Sequence, residues 1–176
     1  MSIPININPL FILQIITAGF CSLFALNLYN RNDVSGARRL SLLMAALGIW
    51  AFTAGMESAF LPFEAKLLSS KIKYVGIQSV APLLFLFSNE YSGRKRWITR
   101  WNQVILWAIP LATIFLVATN EYHNLVWSSI QHNHNGSNST LITSYGLGFW
   151  ISTVYHYLLV VFAGILLVIG TKEKKQ

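Results

Sequence analysis

The chain has 176 residues, of which 54% are hydrophobic and only 11% charged, with a formal net charge of +7. An ordinary soluble domain carries roughly 25% charged residues, so this composition excludes one and points to a membrane protein of one domain, residues 1–176. The one cysteine, Cys21, lies inside an apolar run, which excludes an intrachain disulfide.

The opening "MSIPININPL" lacks the positive n-region of a cleavable signal peptide, so the first apolar run, 9–29, is expected to be retained as a span. Further spans are expected at 40–61, 101–118 and 147–170, because about 20 apolar residues cover the hydrocarbon core. The weakest is 72–89, where "YVGIQSVAPLLFLFSN" is short and interrupted by Pro82. It crosses only if Lys71 and Lys73 reach back to the interface and neighbours satisfy the carbonyl that the proline frees. A re-entrant or surface helix is its alternative.

Charge placement favours the span. Arg31, Arg38 and Arg39 follow the first run, Arg94, Lys95, Arg96 and Arg100 the third, and Lys172, Lys174 and Lys175 the fifth, together ten of the thirteen basic residues. The 119–146 connection has none. Basic residues stay on the cytoplasmic side. The expected fold is therefore an all-α, polytopic membrane helix bundle of five transmembrane helices, N-terminus outside, C-terminus inside, with 119–146 as an outer loop. The positive charge then marks topology, and nucleic acid is not an expected partner. Trp97, Trp101, Trp127 and Trp150 fall near span ends, as interfacial aromatics do.

Polar side chains at membrane depth are costly and are functional candidates by default. His156, near the middle of the last span, reads either as a ligand contact and protonation switch or as a neutral imidazole bonded to a neighbouring helix. Glu57 reads either as half of an interhelical ion pair with Lys73 or as the acidic wall of an outward-facing pocket, and Trp50, seven residues earlier, shares its helix face. Tyr74 and Gln78, four apart, face one way as interhelical glue or as ligand contacts. His123 and Trp127, within "TNEYHNLVW", either cap such a pocket or sit at the interface with no ligand. Trp150 is a further candidate at the outer end of the last span. At the inner end Glu90 is expected to pair with the basic loop, and Gly48, Gly55 and Gly76 to let helix backbones approach closely.

His123, His132 and His134 share the outer connection, but nothing fixes their geometry, so no metal and no cofactor is expected. "NGS" and "NST" match glycosylation sequons by pattern alone. The sequence shows no Ser/His/Asp cluster, phosphate-binding glycine loop or paired carboxylates, so no enzyme is expected.

Five fragments in order, "WAFTAGME", "KYVG", "NEYSGR", "P…TNEYHNLVW" and "YGLGFWISTVYHYLL", resemble the N-terminal seven-helix membrane region of bacterial and archaeal sensor histidine kinases. The resemblance runs from the first span to the last residue. It implies a sensory, signal-transducing region in a prokaryotic inner (plasma) membrane, without a catalytic module. Its implied partners are the lipid bilayer, a small-molecule ligand and a cytoplasmic signalling module, and a homodimer is compatible with it. Five spans in place of seven leave open a piece of a longer receptor or a free-standing subunit. The rival readings are an accessory subunit of a larger membrane complex, and a small transporter or channel.

Overall fold

The computed structural model describes residues 4–31, 34–135 and 138–173. Helix α1 spans Pro9–Tyr29. Asn8 caps it by accepting from the Phe11 N–H at 2.8 Å, and Pro9 sits in the first turn, where its missing N–H would have had no helical partner. Helix α2, Ala37–Ala59, starts from Gly36 at φ +88°. A side chain there would be strained by the left-handed backbone, and its Cβ would press on the Phe87 ring at 3.1 Å.

The last four carbonyls of a helix have no partner within it. Those of α2 are all bonded: Met56 by the Phe60 N–H, Glu57 by Lys66 Nζ, Ser58 by Asn8 Nδ2 and Ala59 by the Asn6 N–H. The end of α2 is thereby tied both to the N-terminal segment and to the next helix.

That helix, α3, spans Phe63–Tyr91 and is the centre of the molecule, packing against α2, α4 (Arg100–Ala118) and α6 (Leu147–Glu173), while α1 rests on α2. α2 and α3 meet backbone to backbone at Gly76, where a Cβ would lie 2.7 Å from Trp50 N and 2.8 Å from Ala46 O. Helices α1, α2, α4 and residues 147–172 of α6 are four helices long and apolar enough to cross a membrane. α3 starts well before residue 72. An apolar window measures only the hydrocarbon-facing length, and the lysines ahead of it find partners: Lys66 at Glu57 O, Lys71 at Ala118 O and Glu121, Lys73 at Glu57.

Residues 119–146 are not a plain loop, and the molecule is mostly helical rather than all-α. One helical turn, α5 (Asn120–His123), leads into an antiparallel hairpin of β1 (Trp127–Asn135) and β2 (Asn138–Tyr145). Trp127 pairs with Tyr145 and His132 with Leu141, with a register shift between Trp127 and Ser129. Such strands are stabilised by cross-strand pairs and ladder bonds, which leave little apolar periodicity in the sequence. The "NGS" sequon at 135–137 and the tail from 174 on, with Lys174 and Lys175, include positions outside the described residues, as does the His134 side chain.

The two ends of the bundle differ. At one, Ile5 bridges Phe60 and Ser139 Oγ donates to Leu61 O at 3.0 Å, which seats the hairpin on the α2–α3 turn. At the other, Ser35 Oγ donates to Glu90 O at 3.2 Å and Arg39 meets the Glu90 carboxylate at 3.7 Å.

Candidate functional site

Two helix-interior prolines shape the site. A proline cannot donate to the carbonyl four residues back, so Pro82 in α3 frees Gln78 O, and Pro110 in α4 frees Leu106 O. Consecutive residues of α6 answer them. Tyr155 donates its hydroxyl to Leu106 O at 2.7 Å, and His156 Nε2 lies 3.3 Å from Gln78 O. α6 therefore meets each of its neighbours at the point where that neighbour's helix ladder is broken.

His156 Nδ1 faces the Ser152 carbonyl at 2.7 Å, and Ser152 Oγ donates to Gln78 Oε1 at 3.0 Å. A neutral imidazole has one N–H to give, so one of its two carbonyl contacts at a time is a hydrogen bond. Gln78 and Ser152 are both buried, and their bond joins α3 to α6.

Around this network a cavity of about 660 Å³ opens between α2 and α6, with α3 as its back wall. That volume lies within the roughly 300–1,000 Å³ of small-molecule sites. Trp50 and Glu57 contribute from α2, Lys73, Tyr74 and Gln78 from α3, and Ser152 and His156 from α6. The hairpin closes one end with Trp127, Leu141 and Tyr145. Trp127 packs edge-on to Tyr74, ring centroids 5.4 Å apart, and donates its indole N–H to the Tyr74 hydroxyl at 3.2 Å.

Glu57 and Lys73 form an ion pair across α2 and α3. The pair also borders a second cavity of about 660 Å³, which lies toward the N-terminal segment and includes Asn8, Gln14 and Lys66. One bridge is thus common to the walls of both spaces, and a ligand that competes for either charge would act on the partition between them.

Six sequence candidates, Trp50, Glu57, Tyr74, Gln78, Trp127 and His156, line the first cavity. The structure places two elsewhere. Trp150 is exposed on α6, edge-on to Phe149. His123 is engaged in its own turn, with Nδ1 accepting from the Leu125 N–H at 3.1 Å and Nε2 3.1 Å from Thr119 Oγ1. In "TNEYHNLVW" the organising residue is Asn120. Its buried side chain accepts from the Val126 and Trp127 N–H groups at 3.0 Å each and donates to Trp127 O at 2.9 Å, fixing the indole over Tyr74.

Ser152 and the role of Pro110 were not anticipated from the sequence, whereas the carbonyl expected to be freed by Pro82 is met by His156. One available signal was the spacing of Ser152 and His156, four apart on one helix face. Beside α5, Lys71 pairs with Glu121 and lowers the pKa of its carboxyl, mainly through the side-chain hydrogen bond. Among the described residues, no group of three or more His, Cys, Asp or Glu is placed to hold a metal ion.

Comparison with known proteins finds one family, described as the N-terminal 7TM region of histidine kinase, which matches residues 10–175. No curated protein and no solved structure matches the chain. The matched stretch covers every helix and both strands described above, from the first turn of α1 to the end of α6. This chain belongs to the family of N-terminal 7TM regions of histidine kinases, as a membrane-embedded sensor region.

Proposed function

We propose that this region detects a small molecule in the α2–α3–α6 cavity and passes the signal along α6 to a cytoplasmic histidine kinase module. The observation that carries the reading is the Gln78–Ser152–His156 network, in which groups lining the cavity are also the bonds that hold α6 to α3. A ligand shifts a helix arrangement only by its difference in affinity for the two arrangements. One that takes over a hydrogen bond from His156 or Gln78 makes that difference directly, because the displaced bond is an α3–α6 bond.

The topology that suits this role has five spans, α3 among them, with the hairpin outside and the arginine-rich end inside. Supporting it are the central packing of α3 and the excess of basic residues at the arginine-rich end over Lys66, Lys71 and Lys73 near the hairpin. Trp50, Glu57, Tyr74, Gln78, Trp127 and His156 are the proposed ligand contacts. His123 and Trp150 act at the rim, through the turn and the interface.

In a reporter receptor whose kinase output follows α6, Glu57→Gln, Tyr74→Phe and His156→Ala should each change the response to stimulus while membrane insertion is kept. An unaltered response in all three would sink the cavity reading. Cysteines introduced at positions 131 and 96 should react with an impermeant maleimide from outside and only after lysis, respectively; the reverse pattern refutes the topology.

A further inference from the structure

A third cavity, also of about 660 Å³, lies at the opposite end, between α1, α2 and α3. Phe20 and Phe24 of α1, Leu40 of α2 and Phe87 of α3 give it apolar walls, and Asn27 and Arg31 stand at its rim. The surroundings are basic. Arg39 is matched by Glu90 at 3.7 Å, whereas Arg31 and Arg38 have no carboxylate within ion-pair distance among the described residues. Arg38 is not part of the cavity wall but follows the lining residue Ala37, is exposed, and holds its guanidinium 5.7 Å from the centre of the Tyr29 ring.

We propose that this groove is a binding site for one anionic phospholipid, its acyl chain lying between Phe24, Leu40 and Phe87 and its phosphodiester held by Arg31 and Arg38. The two halves of such a molecule match two halves of the site. The apolar part lies on the flank of helices that cross the bilayer, so a chain enters sideways without leaving hydrocarbon. The charged part lies at the helix ends, where headgroups are. A guanidinium presents paired N–H donors that fit a phosphate in two-point contact, which a zwitterionic headgroup offers only at the cost of bringing its own cation close. Free phosphate could satisfy the arginines but not the aromatic groove. A second copy of the chain would have to bring a carboxylate to the same rim. The inference does not depend on the sensory reading, because lipid occupancy is measured directly.

The test is native mass spectrometry of the purified full chain released from nanodiscs of equal phosphatidylglycerol and phosphatidylcholine. One phosphatidylglycerol should be retained per chain. Arg31→Gln with Arg38→Gln should cut its preference over phosphatidylcholine about thirtyfold, the scale of two surface basic residues. Asn27→Trp, which fills the rim and leaves the charge unchanged, should lower retention of both lipids. Four results would overturn the proposal: equal retention of the two lipids, a preference that survives the double arginine change, displacement of lipid by 10 mM inorganic phosphate, or a dimer in place of the lipid adduct. If the double variant fails to insert, Asn27→Trp decides alone, and unchanged retention in it refutes the groove.

Discussion

α3 meets α2 and α6 in different ways near the site. Toward α2 it presents Gly76 against the backbone of Ala46 and Trp50, a contact with no room for a methyl group. Toward α6 it packs Ala81 and Leu86 against Leu159, and beside that apolar contact it presents Gln78 at a cavity wall, where hydrogen bonds cross to Ser152 and His156. Close-packed backbones have one arrangement, because dispersion contacts are lost steeply with distance. Hydrogen bonds at a cavity edge have several, because a ligand can replace either partner. The α2–α3 contact is therefore the more rigid of the two, and the polar edge of the α3–α6 contact is where the proposed ligand would exchange partners.

Breaking the more rigid contact should have the largest effect. Gly76→Leu puts side-chain atoms where Trp50 N and Ala46 O already are, so α2 and α3 must separate. Overpacking a tight contact typically costs about 1–3 kcal/mol and more against rigid backbone. The expected outcome is loss of a cooperative thermal transition in detergent. A variant that melts like the parent would show that α2 and α3 are not rigidly joined.

The hydrogen-bonded side should fail more gently and in a characteristic way. His156→Ala leaves the carbonyl freed by Pro82 without its donor, at a cost of about 0.6–1.7 kcal/mol for an interhelical bond in a membrane. Pro82→Ala supplies a backbone N–H to the same carbonyl. In that background His156→Ala should cost measurably less, a coupling that a double-mutant cycle of thermal stabilities reads directly. Pro82→Ala should also blunt signalling, since α3 no longer needs α6 at that point. Additive effects of the two changes would refute the proline–histidine link. Tyr74→Phe leaves the buried Trp127 indole N–H without its acceptor and should cost at least as much, about 1–3 kcal/mol.

How much of this was legible in the sequence follows the same division. Four helices advertise themselves by apolar length, and a fifth by the basic residues on either side of it. Glu57 and Lys73 could be matched as opposite charges at one depth. By contrast, the bond between Ser152 and Gln78 joins residues 74 apart in the chain, and a serine in a helix carries no mark of its partner. Pro82 was visible as freeing a carbonyl that a neighbour must satisfy, but only the fold brings His156 to it, and Tyr155 to the carbonyl that Pro110 frees. The hairpin was hidden for another reason: "WSSIQHNHN" and "NSTLITSY" bury few side chains, so the period-two signal of a half-buried strand is missing.

The finest cut concerns how the hairpin end is fastened to α3. Lys71 binds Ala118 O at the end of α4 and the Glu121 carboxylate in α5, tying both to α3. Because the folded state depresses the Glu121 pKa below its ordinary value of 4.5, the contribution of this pair is complete above about that pH. It declines as pH falls through the lower folded value, since the unfolded chain then takes up the proton first. Glu121 is largely exposed, so screening keeps the effect the smallest of these. The measurable quantity is the difference in melting temperature between the parent and Glu121→Gln. It should be positive at pH 7, shrink with salt, and fall toward zero as the medium is acidified below the ordinary glutamate range. A difference that grew in acid would mean that the carboxyl acts as a protonated donor, and that α4 and α5 are held to α3 by something other than the lysine.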